Sequence, residues 1–265
     1  MSIHRLLVTA LLLVALLLGA AGLALADNLN EYYSFRFSSS LPGMLYGVTP
    51  EGQTGFGGAF QQNIPVAFTP CEGNWAAGFN SGSLNSSIQL GLSGRNINGN
   101  AFIGRGWLKS GHGLFVVWDA TSNRIEETWN AQYQVLPLTS KYPAVAVGVQ
   151  DLTNERERFQ RRDSHNGRSI YVTATGPINR EAARPIYWTA GWGNGRFRRG
   201  FVGVAVPLSD HLKVVGEYDS FNPNVGLAWG LNGDKTDRKW DVIGYFGYTD
   251  LKHPLLGVST TLRRF

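Results

Sequence analysis

Residues 128–136 of this chain read Thr-Trp-Asn-Ala-Gln-Tyr-Gln-Val-Leu, and apolar and polar side chains alternate along most of the stretch. Successive side chains of a β-strand point to opposite faces, so one face of this segment is apolar and the other is polar. The apolar face carries Trp129, Ala131, Tyr133 and Val135, and the polar face carries Asn130, Gln132 and Gln134. The segment therefore predicts a strand with one face in an apolar environment and the other in a polar one.

The same period of two recurs along the chain, and after residue 26 no segment has convincing helical periodicity. The best helical candidate, residues 179–184, is short and is followed by Pro185. The predicted strands are residues 86–93, 100–108, 113–119, 128–136, 144–150, 169–175, 186–193, 201–207, 212–219, 225–231, 240–248 and 255–262, with two weaker ones at 54–60 and 74–80. The fold class is therefore all-β, although alternation alone fits a sandwich as well as a barrel.

The links between the predicted strands favour a barrel. Outer-membrane barrels alternate short periplasmic turns with longer external loops along the chain. Links 108–111, 137–142 and 208–210 are short, and the longer links 61–73, 120–127, 151–168, 194–200 and 220–224 fall on the other side. Link 232–239 is long for a periplasmic turn, so the sequence gives a range of strand numbers rather than one. We predict an antiparallel up-and-down transmembrane β-barrel of about 12–14 strands.

The first 26 residues have the pattern of a cleaved signal peptide. Arg5 lies in a short basic start, an apolar run follows, and Ala24-Leu25-Ala26 precedes Asp27 as a small-x-small cleavage site. The predicted organisation is a signal peptide at 1–26, an N-terminal periplasmic lead-in at 27–52 and the barrel at 53–265. An uncleaved N-terminal anchor is the alternative, but the apolar run is shorter than a spanning helix needs.

Composition excludes several function classes. Without the first 26 residues the chain keeps 23 of its 24 Lys and Arg against 19 Asp and Glu, so its weak positive charge argues against a nucleic-acid partner. Cys71 is the single cysteine, which excludes an internal disulfide. No Cys/His spacing resembles a structural zinc site, and we expect no metal and no cofactor.

Aromatic residues lie near the ends of the predicted strands, as in the interfacial girdles of membrane barrels, although in a soluble β-protein they would fill a core. The C-terminal residue is Phe265, but the apolar residues of the last strand, Leu256, Val258 and Leu262, are out of phase with it. Either a bulge near Arg263 shifts the register or the terminal phenylalanine is a coincidence.

Short Gly-rich motifs in the second half of the chain carry a family resemblance. They are VGVQDL at 147–152, AGWG at 190–193, GVAVPLSD at 203–210, VGEYD at 215–219 and NVGL at 224–227, with LPG at 41–43 upstream. Together they resemble the YjbH-like family of outer-membrane β-barrels associated with exopolysaccharide production. The chain lacks the lipoprotein cysteine often present there and is much shorter than the larger members. The resemblance implies one small barrel with a related role.

Two sets of side chains are the candidate binding residues. Polar residues on the wet strand faces would point into a lumen and offer hydrogen bonds to a sugar chain or to water: Gln89, Asn130, Gln132, Gln134, Tyr171, Thr173, Thr175, Tyr187, Thr189, Lys213, Glu217, Asp241 and Tyr245. Arginines in two links of the external side would form a basic outer rim that binds acidic glycans: Arg156, Arg158, Arg161, Arg162, Arg168, Arg196, Arg198 and Arg199. A solvated loop with internal ion pairs is an equal alternative for the rim.

We expect no enzymatic activity. Glu217 and Asp219 share a strand face, as paired carboxylates for glycoside cleavage would, but such a pair is more often part of a lumen wall. The predicted function is support of exopolysaccharide secretion or assembly by an outer-membrane barrel. The alternatives are a general porin or structural barrel, and a secreted carbohydrate-binding β-sandwich. Expected partners are outer-membrane lipid, exopolysaccharide or lipopolysaccharide, and the barrel-assembly machinery that inserts such proteins.

Overall fold

The computed structural model describes residues 40–81, 99–121, 126–154, 168–233, 239–251 and 253–263. Within these ranges twelve strands close into an antiparallel barrel, and a two-stranded ribbon precedes them. None of the helical segments in the described ranges is long and apolar enough to cross a membrane. The predicted signal peptide at 1–26 lies outside the described residues.

The ribbon pairs β1 (Gly47–Val48) with β2 (Thr54–Gly55). The barrel strands are β3 (Trp75–Ser81), β4 (Gly99–Lys109), β5 (His112–Thr121), β6 (Glu126–Leu136), β7 (Ala144–Gln150), β8 (Ser169–Pro177), β9 (Tyr187–Gly193), β10 (Phe201–Pro207), β11 (Leu212–Tyr218), β12 (Pro223–Gly230), β13 (Trp240–Thr249) and β14 (His253–Leu262). Each barrel strand pairs with its neighbours in chain order, and β14 pairs with β3. The prediction of an all-β, antiparallel up-and-down barrel is confirmed, and its closure excludes a sandwich of two sheets.

Two segments differ from the strand prediction or cannot be compared with it. Residues 54–60 are not a barrel strand: Thr54–Gly55 pairs with β1, and Ala59 forms an isolated bridge with Val48. The following stretch carries Gly58, with a φ of +79°, and then Pro65 and Pro70, which a central strand does not tolerate. The barrel wall therefore begins at Trp75. The predicted strand 86–93 lies outside the described residues.

The barrel has two ends with different connections. We call the end at which β3 begins and β14 ends the turn end, and the opposite one the loop end. The predicted short links 108–111, 137–142 and 208–210 fall together at the turn end, as does link 232–239. The connections 82–98, 122–125, 151–168, 194–200, 219–222 and 250–252 fall at the loop end. The turn end also carries the connection 178–186, and most of link 61–73, which the sequence placed among the external links, is buried inside the barrel instead. The other predicted links lie at the ends that the sequence indicated.

The outer wall of the barrel is apolar and ends in aromatic bands. Trp129, Trp192 and Tyr248 are exposed near the loop end, and the exposed aromatics near the turn end are Trp75, Trp107, Trp229 and Trp240. Between the bands the wall exposes aliphatic side chains, including Ile103, Leu114, Val172, Leu227 and Val258. A soluble protein rarely exposes so continuous an apolar surface, whereas a barrel in a bilayer requires one.

The last strand keeps its alternation as far as the structure describes it. Leu256, Val258 and Leu262 face outward, while Ser259 and Thr261 are buried inside. The register between β13 and β14 runs without a shift to Leu262, so the proposed bulge does not occur within the described part of β14. A register shift is present instead between Gln134 and Leu136, where β6 pairs with β7. Phe265 lies outside the described residues.

Candidate functional site: the filled lumen

The barrel interior is occupied by residues 40–73 of the same chain, which we call the plug. Ser40 lies near the loop end, where Asn130 Nδ2 donates to its Oγ at 2.9 Å. The chain descends to a turn at Thr49–Gln53, returns to the loop end at Gln62 and Asn63, and descends again into β3. Wall side chains of a barrel with about eight strands can fill its interior by themselves, but a twelve-stranded one is wider. Three passes of the plug fill this extra width.

Aromatic side chains of the plug form the core of the molecule with aromatics of the wall. Tyr46, Phe56, Phe60 and Phe68 are fully buried. Ring pairs join plug to wall. Between centroids, Tyr46 lies 6.0 Å from Phe102 and 6.4 Å from Phe115, Phe60 lies 5.8 Å from Tyr245, and Phe68 lies 5.8 Å from Tyr187. Full burial of each such side chain contributes about 1.5–3 kcal/mol to stability. The plug is therefore an integral part of the folded core.

At the loop end a charged network holds the bend of the plug, which we define as Gln62 and Asn63. Glu217 Oε2 accepts the backbone N–H of Gln62 at 2.9 Å, and Oε1 accepts that of Asn63 at 2.8 Å. Asp219 Oδ2 accepts the side-chain amide of Asn63 at 3.2 Å. Asn224 Nδ2 donates to both carboxylates, at 3.0 and 2.8 Å. The carboxylate pair that resembled a glycosidase site thus binds the plug.

The same bend is held from two other directions. Arg196 Nη2 donates to the carbonyl of Asn63 at 2.6 Å, and Nη1 donates to Gln150 Oε1 at 3.2 Å. Tyr245 Oη donates to Gln62 Oε1 at 2.6 Å. Arg196 is fully buried, because the short 3-10 helix Gly195–Phe197 carries it into the interior. It therefore differs from the rim position that the sequence suggested for it.

Neutral side chains bind the last pass of the plug, residues 65–69. Thr173 Oγ1 donates to the carbonyl of Pro65 at 2.9 Å, and Gln132 Nε2 donates to that of Val66 at 2.8 Å. Thr175 Oγ1 accepts the N–H of Ala67 at 2.9 Å, and Gln134 Oε1 accepts that of Thr69 at 2.8 Å. These wall side chains take the place of a strand partner, so the buried backbone of this pass is hydrogen-bonded without a sheet.

Charged residues bind the plug again near the turn end. Asp241 Oδ2 accepts the N–H of Phe56 at 2.8 Å. Lys213 Nζ donates to the carbonyl of Gly58 at 2.9 Å and also to that of Phe56. Arg263 Nε donates to the carbonyl of Thr54. Beside this contact a cleft of about 600 Å³ opens at the turn end, lined by Pro50, Glu51, Tyr187 and the links 137–143 and 178–186.

The structure places the lumen candidates as follows. Gln89 lies outside the described residues, and all the others are buried in the interior. Asn130, Gln132, Gln134, Thr173, Thr175, Lys213, Glu217, Asp241 and Tyr245 hydrogen-bond directly to the plug. Tyr187 packs on Phe68, Thr189 bonds to Thr175, and Tyr171 donates to Gln132. These groups are bound by the protein itself in this conformation.

The rim candidates separate into three groups. Arg156, Arg158, Arg161 and Arg162 lie outside the described residues. Arg168 and Arg199 are exposed at the loop end, and Arg198 is half-buried there. Arg199 Cζ lies 6.0 Å from the ring centroid of Phe221. Of the described rim candidates, only Arg196 points into the barrel.

Sequence reasoning missed several plug contacts. Gln62, Asn63 and Asn224 carried no signal, since amides in predicted links are ordinary. Ser259 Oγ donates to the carbonyl of Leu45 at 2.6 Å, and its inward position follows from strand alternation. The apolar residues of 41–48 and 56–68, which lack a period of two, were the available signal for a buried segment.

The described residues contain no group of three His, Cys, Asp or Glu side chains that could hold a metal ion. Cys71 lies at the end of the plug, and its Sγ donates to the carbonyl of Glu51 at 2.7 Å. Partial burial, together with the Glu51 carboxylate, raises the pKa of the Cys71 thiol. A thiol with a raised pKa is a poor nucleophile at neutral pH, which fits a structural residue.

No protein-family model and no curated protein matches the chain. Among solved structures, the chain is similar to a KdgM porin at 8% sequence identity and a TM-score of 0.48, covering 72% of this chain and 99% of the porin. It is also similar to a KdgM porin in complex with disordered oligogalacturonate, at 9% identity and a TM-score of 0.45, covering 72% of this chain and 98% of the porin.

Proposed function

We propose that this protein is an outer-membrane β-barrel that is closed at rest by its own residues 40–73. The observation that carries this proposal is the combination of an apolar outer wall with a lumen in which plug residues such as Met44, Tyr46 and Phe60 are fully buried. The signal peptide provides export, and the barrel-assembly machinery inserts the chain. The loop end faces outward, because short turns lie on the periplasmic side in such barrels.

A closed lumen argues against a constitutively open general porin. The porin alternative requires the plug to leave, and one observation favours it. The wall behind residues 65–69 is lined by Gln132, Gln134, Thr173 and Thr175, so release of the plug would leave a polar passage. The side chain of Gln61 adds to this, since both its amide atoms are buried without a hydrogen-bond partner among the described residues. Such unpaired groups make the closed state less stable.

The finer proposal is a non-enzymatic role in exopolysaccharide secretion or assembly. It is supported by the resemblance to the YjbH-like family and by the exposed guanidinium groups of Arg168 and Arg199 at the loop end. Because the lumen residues bind the plug, the glycan contact belongs to the outer rim, which would bind exopolysaccharide or lipopolysaccharide. Glu217 and Asp219 are held by Asn63 and Asn224, so they are not presented to a sugar bond.

The closed-barrel proposal is tested by fractionation and conductance. The expressed protein is expected in the outer-membrane fraction, with gel mobility that changes on boiling. In planar bilayers the full-length protein is expected to show rare, brief openings, and a variant lacking residues 40–73 is expected to show stable ones once its heat-dependent mobility confirms a folded barrel. Steady conductance of the full-length protein would contradict the closed lumen.

The polysaccharide role is tested in cells. Deletion of the gene is expected to reduce secreted polysaccharide, and the wild-type chain is expected to restore it. The variant R168A/R199A is expected to restore less, whereas K109A/K141A, which removes two exposed lysines near the turn end, is expected to restore it fully. Unchanged secretion in the deletion strain would leave the closed barrel standing without a glycan role.

A further inference from the structure

The outer wall carries a shallow apolar groove near the loop end. It has a volume of about 350 Å³ and is lined by Val147, Ile170, Val172 and Trp192, with Asn194 at its edge. The exposed fractions of these four side chains are 44%, 54%, 41% and 62%. In a barrel surrounded by lipid, a depression of this shape accommodates a single hydrocarbon chain.

Strand register explains the groove. Val147 of β7 is paired with Val172 of β8, and Val172 is paired with Trp192 of β9. These three side chains therefore form one row across three strands, and Ile170 stands one step closer to the loop end on the same face. The tall indole of Trp192 forms one wall, since its Nε1 is held by the carbonyl of Arg198 at 3.0 Å.

The backbones of two arginines lie at the loop-end edge of this groove. Arg168 immediately precedes β8, and its carbonyl lies 3.3 Å from the position that a Cβ on Gly195 would take. Arg198 donates its N–H to the carbonyl of Gly195 at 3.4 Å. Both residues thus flank Gly195 at the upper edge of the groove, where Arg168 is exposed and Arg198 is half-buried.

The acidic residue that follows β7 does not oppose these cations. Asp151 is fully buried, and its Oδ1 accepts the hydroxyl of Thr128 at 2.7 Å. Its carboxylate is directed into the barrel, away from the lipid-facing groove. The described part of this region therefore combines an apolar row with positive charge at its outer edge.

We propose that this groove and its two arginines bind a phosphorylated glycolipid of the outer leaflet, of the lipid A type. An acyl chain would lie along Val147, Val172 and Trp192, and a sugar phosphate would accept hydrogen bonds from Arg168 and Arg198. Guanidinium binds phosphate through two parallel hydrogen bonds, and the low dielectric at the edge of the hydrocarbon strengthens this contact. The inference rests on the outer-membrane location and outward loop end proposed above.

The shape of the site separates this ligand from other anions. A soluble acidic polysaccharide would use the arginines alone, and an uncharged lipid would use the groove alone. Only a ligand with both an acyl chain and phosphate gains from both halves. Loss of either half is therefore expected to weaken binding of lipid A, whereas the groove is of no value to a free glycan.

The test uses purified full-length barrel in detergent, with bis-phosphorylated lipid A as the probe and native mass spectrometry or microscale thermophoresis as the readout. We expect R168A/R198A to weaken binding roughly tenfold or more, from the loss of two charge-assisted contacts. W192A is expected to weaken it severalfold. The control K109A/K141A removes the same charge at exposed positions near the turn end and is expected to bind as the wild type does.

A second measurement needs no variant. Dephosphorylated lipid A is expected to bind the wild-type barrel roughly tenfold more weakly, because it keeps the acyl chains but loses the phosphates. Equal binding of the two probes, or equal loss in R168A/R198A and K109A/K141A, would overturn the inference. Heat-dependent mobility is measured on every sample. A wild-type protein absent from the outer membrane refutes the proposed function, whereas a folded outer-membrane barrel that ignores the phosphates refutes only this site.

Discussion

The plug is held in two chemically different ways along its length. At the bend, Glu217, Asp219 and Arg196 bind Gln62 and Asn63 through carboxylate and guanidinium groups. Along residues 65–69, the wall side chains that bind the backbone are threonine hydroxyls and glutamine amides. Hydrogen bonds to charged groups contribute about 1.5–3 kcal/mol and neutral ones about 0.5–1.5 kcal/mol. The bend should therefore contribute more to holding the plug in the lumen than the last pass does.

A buried reporter can measure plug opening directly. In the background Cys71→Ser, the substitution Ala59→Cys places the only thiol at a plug position that is fully buried. Its rate of maleimide labelling follows the open fraction, when opening and closing are faster than labelling. A fall of 1.4 kcal/mol in the free energy that favours the closed state corresponds to labelling that is about tenfold faster.

The largest effect is expected for Glu217→Ala. This change removes the acceptor of two consecutive backbone N–H groups and leaves both buried without their partner. We expect the free energy that favours the closed state to fall by about 3–5 kcal/mol, and the rate of maleimide labelling to rise by two orders of magnitude or more. Glu217→Gln keeps the side-chain volume and one acceptor, so it is expected to lie between this variant and the parent. Labelling at the parent rate in both variants would show that the bend does not control closure.

The second effect is expected for Arg196→Met, which keeps an unbranched apolar stem and removes the donors to Asn63 and Gln150. We expect the free energy that favours the closed state to fall by about 1.5–3 kcal/mol. The matched control is Arg199→Met, three residues later in the same loop, where the side chain is exposed. Equal labelling rates of the two variants would place the plug contact of Arg196 in doubt.

A smaller effect is expected for Thr173→Val on the neutral pass. The substitution keeps the shape of the side chain and removes one donor to the carbonyl of Pro65. We expect a loss of about 1 kcal/mol, and labelling several times faster than in the parent. If Thr173→Val opened the plug as strongly as Glu217→Ala, the contrast between bend and last pass would disappear.

The sequence predicted the barrel well and its contents poorly, for one physical reason. Gln132 and Thr173 have to point inward because their neighbours Tyr133 and Val172 are apolar and a strand has a period of two. Residues 41–48 are buried on all sides, by the wall and by the rest of the plug, so they have no periodicity that predicts which way each side chain points. Arg196, Arg198 and Arg199 are equivalent as letters in a loop. Only the 3-10 turn that begins at Gly195 decides which of them is buried.

The smallest effect is expected on the lipid-facing side of the same strand that binds the plug. Tyr133 is 45% exposed on the outer wall, and it lies between Gln132 and Gln134, which both bind the plug. Tyr133→Phe is expected to change closure by less than about 0.5 kcal/mol, because the substitution touches neither plug nor core. Gln132→Leu, one residue away, is expected to accelerate labelling severalfold through loss of its bond to the carbonyl of Val66. Since the two positions differ only in the face of β6 that they occupy, equal rates would mean that the inner face of this strand does not hold the plug.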